Sequence, residues 1–281
     1  MKLIVEPCSK NIDYIKKVDG LILAIEDFSV ESICSFSIDD IIDIKRKNNC
    51  LVFVKMNKNL FNDDISSVKE VLIKLNDNSI DGVFFYDLAI LELKNELNLS
   101  IDLIWNQTHM VNNYMTCDYY YNNGVKYALL GKEITLEEIK EIINESNITS
   151  MVEVVSLPSV AFSKRRLVTN YFSDLGEKST KELVVQEKIT KDSYTIVEDD
   201  NGTSFYLNKI TNGTSIIKDL YDCGCKYIIF REYGIDDFSE LVNDTSFYIT
   251  NGCTDENYIN KYKKLGDSTN FFFRKTIYKV K

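Results

Sequence analysis

Eight short apolar segments alternate with longer amphipathic stretches along this chain, and the alternation limits the fold more than any other feature. A segment that is apolar throughout, such as 51–54, indicates a parallel strand that is buried on both faces of its sheet. Eight such strands in 281 residues predict an α/β fold, a (β/α)8 barrel of the TIM type, with a doubly wound open sheet as the alternative. The predicted strands are Leu3–Pro7, Gly20–Ile25, Leu51–Met56, Gly82–Tyr86, Ile101–Trp105, Tyr127–Leu130, Met151–Val155 and Tyr227–Arg231.

The stretches between the strands have the capping residues and apolar spacing of helices. Ser37 is a favourable N-cap, and Thr135 followed three residues later by Glu138 has the pattern of a capping box. The predicted helices are Asn11–Val18, Ile38–Lys47, Asp64–Leu75, Leu88–Leu97, Asn112–Asn122, Leu136–Asn144, Ser215–Cys223 and Ile235–Val242.

The regular alternation is interrupted between the seventh and the eighth predicted strands. Residues 181–189 and 194–207 have β-type patterns, and the pair Asn201-Gly202 between two β runs is a strong hairpin signal. We therefore predict one barrel domain over residues 1–281, with a small β insertion at about 157–212. The insertion follows strand seven, on the face where barrels place their active sites.

Composition indicates which binding partners and which cellular location to expect. The net charge of −10 disfavours loose adhesion of the whole surface to nucleic acid or acidic lipid, although a local basic patch remains possible. Seven scattered cysteines indicate reduced thiols rather than a disulfide framework. The first apolar run is too short for a signal peptide, and no run approaches the length of a membrane span. We expect a cytoplasmic protein without a membrane partner.

The segment 151–172 contains the densest group of candidate binding residues. It begins as the seventh strand, breaks at Pro158 and continues into three consecutive cations, Lys164, Arg165 and Arg166. Adjacent cations repel one another unless they are solvated or face an anion, and guanidinium groups bind phosphate and carboxylate through a fixed fork. We predict an anion site here, with Glu153 near enough to orient a guanidinium; the alternative is a solvated basic turn.

Several of these segments resemble the peptidase U32 family of bacterial proteins, often called collagenase-like proteases. The family signature is a strand that contains Glu and leads into Ser-x-Arg-x-Leu-x-x-Asn-Tyr, and either Arg165 or Arg166 matches its arginine. The other residues that match the signature are Glu153, Ser163, Leu167, Asn170 and Tyr171. Segments elsewhere in the chain are also similar to the family: Asp19–Ala24, Phe28-Ser29, Val54–Asn57 with Asn62–Asp64, Asp81–Val83, Asn106–Thr108 with Met110 and Asn113, and Gly131–Ile139.

The resemblance implies a barrel and relatives that hydroxylate nucleobases of tRNA or rRNA, or ubiquinone precursors, with prephenate as a hydroxyl source. Some bacteria use two such paralogues for the tRNA wobble uridine, one of them short. This chain departs from the family at two places. It has no cysteine between Cys117 and Cys223, where relatives hold an iron–sulfur cluster, so we expect no such cluster. Glu31 also stands where the family's Phe-Ser-x-Arg loop has its arginine.

We therefore predict a short member without a cluster that takes part in hydroxylation of the tRNA wobble uridine, with no other cofactor and with prephenate as a possible substrate. The partners would be tRNA and a longer U32 paralogue. One alternative is a collagenase-like peptidase, for which His109, the single histidine, would have to be the base. The other is a non-catalytic barrel scaffold that binds the longer paralogue.

No residue is singled out as catalytic, and no ligand spacing predicts a metal site. Tyr171 could stack on a base. The predicted substrate-binding or anion-binding residues are Arg165, Arg166, Glu153, Asn57, Gln107, Asn170 and Tyr171.

Overall fold

A computed structural model describes residues 1–107, 109–266, 268–269 and 271–274. Thr108, which belongs to one of the family-like segments, lies outside the described residues. The strands are β1 (Lys2–Glu6), β2 (Gly20–Ile25), β3 (Ser35–Phe36), β4 (Leu51–Met56), β5 (Gly82–Phe85), β6 (Asp102–Trp105), β7 (Tyr127–Leu129), β8 (Thr149–Ser156), β9 (Ser159–Ser163), β10 (Glu182–Gln186), β11 (Ser193–Asp199), β12 (Gly202–Leu207), β13 (Thr211–Asn212) and β14 (Tyr227–Arg231). The helices are α1 (Ile38–Lys47), α2 (Ile65–Asp77), α3 (Ala89–Glu96), α4 (Tyr114–Asn122), α5 (Leu136–Glu145), α6 (Leu167–Leu175), α7 (Ile217–Asp222), α8 (Phe238–Thr250) and α9 (Glu256–Tyr262).

Eight parallel strands close into a barrel in the order β1, β14, β8, β7, β6, β5, β4, β2. Closure is completed by the parallel pairing of β1 with β2, in which Ile4 lies opposite Gly20 and Val5 opposite Leu21. The predicted (β/α)8 barrel is confirmed, and the alternative of an open sheet is wrong. Each of the eight predicted strands overlaps one barrel strand, because a segment that is apolar throughout is buried on both faces in a parallel sheet.

The helices follow the predicted order with changes at both ends of the chain. Both predicted caps are confirmed: the side chains of Ser37 and Thr135 accept hydrogen bonds from backbone N–H groups in the first turns of α1 and α5. The helix predicted at 11–18 is wrong, since that segment forms a three-residue 3-10 turn, Ile15–Lys17. Tyr14, which precedes this turn, makes no side-chain cap hydrogen bond, so the start of a longer helix is not stabilised there.

The structure places α8 later than the prediction did. It begins after Asp237, whose φ of +48° ends the preceding loop, and it continues to Thr250. The short helix α9 follows it and has no counterpart in the sequence prediction.

The interval after the seventh barrel strand contains a second, antiparallel sheet with the strand order β10, β11, β12, β9. The predicted hairpin joins β11 to β12, but Asp199 pairs with Gly202, so the two loop residues are Asp200 and Asn201. The turn therefore lies one residue earlier than the Asn-Gly pair suggests. Helix α6 lies between β9 and β10 and was not predicted, since the sequence pattern of the interval is dominated by β-type alternation.

The interior of the barrel consists of an apolar layer below a polar layer. Alternate residues of a strand face the same side, so the residue two positions after an apolar interior residue also points inward. The apolar layer contains Ile4, Ile22, Phe53, Phe84, Ile104, Leu129, Met151 and Ile229. Two positions further along six of these strands stand Glu6, Lys55, Tyr86, Asn106, Glu153 and Arg231. The carboxyl end of the barrel therefore has a largely polar floor.

A larger apolar cluster lies between the outer face of the barrel and the helices, and Trp105 is its largest fully buried side chain. Among the described residues, no helix has the length and the apolar character needed to cross a membrane.

Candidate functional site

Arg231, the last residue of β14, joins two buried carboxylates at the floor of the barrel mouth. Its Nε atom lies 2.5 Å from Oε2 of Glu153 on β8, and its Nη1 atom donates to Oε2 of Glu6 on β1. The strands β8, β14 and β1 are neighbours in the barrel, so the three side chains meet because of their positions at the strand ends. One guanidinium thereby bridges two acidic groups, as its planar fork allows.

Lys55 on β4 extends this network across the barrel. Its ammonium group donates to Oε1 of Glu6 at 3.0 Å, to the backbone oxygen of Glu31 at 2.8 Å and to Oγ of Ser32 at 2.8 Å. All three ammonium donors are therefore used, which a lysine with 3% exposure requires.

Lys132, in the loop after β7, supplies the second cation of Glu153. Its Nζ atom lies 3.0 Å from Oε1 of Glu153, and Oγ of Ser156 donates to the same oxygen at 2.6 Å. Each carboxylate of the floor is thus paired with two cations. With Glu31, whose carboxylate also attracts Lys55 and Arg231, three acids face three cations, so the charges of the network balance.

The pairing determines the protonation state of the floor. Burial alone would raise the pKa of Glu6, but the charges of Arg231 and Lys55 outweigh it and lower that pKa. Burial likewise opposes ionisation of Glu153, yet Arg231 and Lys132 hold its pKa well below the ordinary value. Burial lowers the pKa of Lys55, against the attraction of Glu6. Burial also disfavours the charged form of Arg231, but the carboxylates of Glu153 and Glu6 outweigh it and raise the pKa of the guanidinium above its ordinary value.

A cavity of about 660 Å³ lies above this floor, between the barrel mouth and the antiparallel sheet. Its volume falls within the range of small-molecule and cofactor sites. The cations that line it are Lys55, Lys132, Lys164 and Arg231, and the acids are Glu6, Glu31 and Glu133. Its aromatic lining consists of Tyr86, Phe162, Tyr206, Tyr233 and Phe271. Tyr206 and Tyr233 are in edge-to-face contact, with ring centroids 5.3 Å apart.

Polar contacts connect the antiparallel sheet, and the residue that follows β9, to the barrel loops. Ser159 donates to a carboxylate oxygen of Glu31 at 2.5 Å, and the Asn201 amide donates to the backbone oxygen of Ser29 at 3.0 Å. Lys164 donates to the backbone oxygen of Asn59 at 3.2 Å. The ammonium group of Lys164 also lies 3.8 Å above the ring of Phe61, which is exposed. A cation and an exposed aromatic ring therefore stand together at one rim of the cavity.

Of the seven predicted residues, Asn57 alone is in the lining of this cavity, and four lie on the outer surface away from it. Arg165 and Arg166 precede α6 and are exposed, while Asn170 and Tyr171 lie on the exposed face of α6. Arg166 lies 3.3 Å from Oδ1 of Asp200 and 3.9 Å from Oε1 of Glu198, both at the β11–β12 hairpin. The expectation that Glu153 orients Arg165 or Arg166 is wrong, since the guanidinium that Glu153 binds is that of Arg231.

The other predicted residues lie at or near the barrel mouth. Asn57 lines the cavity, and its Oδ1 accepts a hydrogen bond from Val30 N at 2.9 Å. Gln107 lies behind the cavity wall and stabilises it through two hydrogen bonds. Its amide donates to the Tyr86 backbone oxygen at 2.7 Å, and its Oε1 accepts from the Trp105 indole at 3.1 Å. Glu153 lies in the floor.

Sequence reasoning missed Arg231, Lys55 and Lys132. Lys55 could have been found, because a lysine inside the otherwise apolar run of β4 needs a buried partner. Arg231 carries no such signal, since it stands at the end of its strand and not inside the apolar run.

The described residues contain no group of three or more His, Cys, Asp or Glu side chains placed to hold a metal ion. The interval from 118 to 222 also has no cysteine. The residues present therefore do not fit an iron–sulfur cluster bound by four thiolates.

Comparison with known proteins adds a family and two curated relatives. The profile of peptidase family U32 matches residues 16–235. The chain is 29% identical over 178 residues to tRNA hydroxylation protein P2 of Bacillus subtilis, covering 60% of this chain and 58% of that protein. It is 33% identical over 95 residues to an uncharacterized protease of Methanocaldococcus jannaschii, covering 34% of this chain and 23% of that protein.

Solved structures resemble the chain more distantly. A 3-hexulose-6-phosphate synthase has a TM-score of 0.49 and 11% identity, with 88% of this chain and 99% of that one covered. Thiamine phosphate pyrophosphorylase from Pyrococcus furiosus has a TM-score of 0.46 and 12% identity, with 90% of this chain and 97% of that one covered.

Proposed function

Because the chain belongs to peptidase family U32, we propose that it takes part in tRNA hydroxylation and that the cavity above the ionic floor receives the reacting group. The chain spans 58% of the length of the Bacillus subtilis tRNA hydroxylation protein, and that similarity supports the proposal. The observation that carries it is the cavity itself, which combines an ionic floor containing three cations with aromatic walls.

The lining of the cavity is suited to a nucleobase that has been extruded from its base stack. An enzyme that acts on a nucleobase takes the base into a pocket and stacks it on aromatic or apolar side chains. Tyr206 on β12 and Tyr233 after β14 supply such a wall, and Phe162 on β9 adds a further ring. The polar edge of a base would then meet Asn57 and Asn106, whose side chains carry both donors and acceptors.

The cations favour an anionic group beside the base. Lys132 and Lys164 line the cavity on different sides, and both could contact a phosphate or the carboxylate of a small donor such as prephenate. Arg165, Arg166, Asn170 and Tyr171 would contact tRNA outside the cavity, next to its rim. We propose the cytoplasm as the location, tRNA as a partner, and a longer U32 paralogue as a second one.

The peptidase alternative lacks a comparable observation. The side chain of His109 is 78% exposed, and its Nδ1 atom lies 3.9 Å from Oε1 of Glu133. A catalytic base needs an orienting partner within hydrogen-bond reach, and this separation is longer than a hydrogen bond.

The test is mass spectrometry of tRNA nucleosides from cells that lack this gene. Hydroxylated wobble uridine should be lost and should return when the wild-type gene is supplied. A Lys132→Ala gene should restore less than a tenth of the modification, because a charge-assisted hydrogen bond contributes about 1.5–3 kcal/mol. Lys10→Ala, which removes an exposed cation paired with Asp40 far along the chain from this loop, is the matched control. Unchanged modification in the deletion strain would refute the proposal.

The exposed arginines have a separate test. Arg165→Lys and Arg166→Lys keep the charge but lose the bidentate fork, so each should weaken tRNA binding about tenfold if it holds a phosphate. Unchanged binding by both variants, with unchanged melting temperatures, would show that these residues form only a solvated basic turn.

A further inference from the structure

Strand β10 forms one edge of the antiparallel sheet and has a row of backbone groups that point outward. The N–H of Glu187 donates to the Asp192 oxygen, and the N–H of Glu198 donates to the Lys181 oxygen. The odd-numbered residues of this strand therefore face β11, because hydrogen-bonded pairs alternate along an antiparallel ladder. The N–H and C=O groups of Glu182, Val184 and Gln186 face away from β11, and within the described residues no further strand pairs with β10. The C=O of Glu182 accepts from Oγ of Thr180 at 2.8 Å and keeps its second lone pair for a partner.

This edge is apolar at its centre. Val184 is 60% exposed, and Ile189 in the following turn is 88% exposed. An exposed strand edge of this kind is a template for pairing with another strand, and proteins usually protect it with proline, bulges or a covering segment. Residues 181–187 contain no proline, and the pairing of β10 with β11 continues without a register shift.

The sequence of this edge is complementary to itself. If two copies of β10 pair in antiparallel fashion about a two-fold axis at Val184, then Lys181 of one copy lies opposite Glu187 of the other. The same pairing occurs at both ends of the ladder, since the axis repeats every contact. Glu182 lies opposite Gln186, and Leu183 lies opposite Val185. The register thus places opposite charges at the ends, apolar residues at the centre and no like charges face to face.

We propose that the edge of β10 binds a second copy of this chain, so that two antiparallel sheets join into one continuous sheet across a two-fold axis. Each outward residue would donate one N–H and accept one hydrogen bond at its C=O, and the pair of Val184 residues would sit on the axis. A register shifted by one residue would place an outward-facing residue of one copy opposite a residue of the other copy that faces β11. The free N–H and C=O groups of the two copies could then not pair. The free groups therefore select the parity of the pairing, and the charges select this register among those of that parity.

Cross-linking tests the register. In a Val184→Cys variant the two new thiols lie opposite each other, at a separation that a disulfide can span. Mild oxidation should convert most of the protein to a covalent dimer of twice 32.5 kDa. Glu182→Cys is the matched control: in this register its thiols lie four residues apart along the ladder, so it should cross-link at least tenfold more slowly. The wild-type chain, whose seven native cysteines are at least partly buried, sets the background.

Sedimentation of the full chain tests the association itself. The wild-type protein should form a dimer whose population rises with concentration. Val184→Pro removes one outward donor at a position where an edge strand tolerates proline, and Lys181→Glu places like charges opposite each other. Either change should weaken dimerisation at least tenfold while leaving the circular dichroism spectrum unchanged.

A wild-type chain that stays monomeric at all concentrations would overturn the proposal and would mean that something other than a second copy covers the edge. A dimer that Val184→Pro and Lys181→Glu both leave intact, or equal cross-linking of Val184→Cys and Glu182→Cys, would overturn it as well. Dimerisation does not depend on tRNA hydroxylation, so either proposal can fail while the other stands.

Discussion

Replacing Arg231 should cause a large loss in the free energy of unfolding of this protein. An Arg231→Met variant leaves Glu6 and Glu153 buried, at 7% exposure each, without the guanidinium that joins them. Breaking a buried ion pair by removing one partner costs about 3–5 kcal/mol. We expect urea unfolding to show a loss of that size in the free energy of unfolding.

Two further variants separate charge from size. Arg231→Lys keeps the charge but cannot reach both carboxylates through a planar fork, so its loss should be intermediate. Arg46→Met removes an arginine whose guanidinium bonds to Asn78 at the surface, and its effect should stay within about 0.5 kcal/mol. Equal losses in Arg231→Met and Arg46→Met would contradict the assigned role of the floor.

Glu153 makes the stability depend on pH in a defined direction. Its folded-state pKa is depressed, so its contribution is complete above the unfolded-state pKa of about 4.3 and is lost as the pH falls toward the folded value. The stability difference between wild type and Glu153→Gln should therefore shrink by about 1.4 kcal/mol for each pH unit below that point. Unfolding free energies of both proteins between pH 7 and pH 3 provide the check, and a constant difference would disprove the coupling.

At the scale of single residues, the sequence indicated which strand ends carry polar groups but not which groups meet. Glu153 was expected to face a guanidinium, and it does, but that guanidinium comes from a residue 78 positions later in the chain. Partner choice inside a closed barrel depends on which strands become neighbours. That information lies in the pairing of β8 with β14 and not in the residues near Glu153.

At the scale of elements, the turn between β11 and β12 depends on a glycine. Gly202 has a φ of +142°, and a Cβ at this position would lie 2.2 Å from the backbone oxygen of Ser163. Gly202→Ala should therefore cost about 3 kcal/mol or more through backbone strain and a clash with β9. Hydrogen exchange should show weakened protection of β9 and β12 while the barrel strands keep theirs.

Gly176→Ala is the control for this variant. That glycine ends α6 at a φ of +71°, and nothing lies within 4 Å of its Cβ position. The expected loss is about 1–2 kcal/mol, from the left-handed conformation alone. A loss at Gly202 no greater than at Gly176 would show that the close approach of β9 does not matter.

The start of α5 allows a test of capping. The Thr135 side chain accepts from the N–H of Glu138, whose carboxylate in turn accepts from the Thr135 N–H at 2.8 Å. Thr135→Ala should lower the free energy of unfolding by about 1 kcal/mol, whereas Thr135→Ser keeps an acceptor and should remain close to wild type. If the two variants unfold at the same urea concentration, the capping box contributes nothing.

Elements were predictable where a local signal is strong. The barrel strands and the capped helices α1 and α5 were located from periodicity and capping residues. Helix α6 was not, although Leu167 and Val168 open it, because its neighbours on both sides have β-type alternation. Its first turn is held by tertiary contacts, since Glu198 on β11 accepts hydrogen bonds from the N–H groups of Val168 and Thr169.

At the scale of the whole molecule, the net charge of −10 means that any tRNA binding must come from a few local cations. Replacing Lys164, at the rim of the cavity, with Gln should reduce the slope of log binding constant against log salt by about one. Lys47→Gln, which removes an exposed lysine paired with Asp43 on α1, should leave the slope unchanged. Equal slopes for all three proteins would exclude Lys164 from the RNA contact.

The ionic floor also has a consequence for how the chain folds. Its acids and cations come from residues 6, 55, 132, 153 and 231, which span most of the chain. A fragment that ends before β14 would contain Glu6 and Glu153 without Arg231, and one that begins after β1 would leave Arg231 and Lys55 without Glu6. Such pieces would bury uncompensated charge, so partly closed barrels are penalised and closure is made all-or-none. The same side chains that form the floor of the cavity thus make folding of the barrel cooperative.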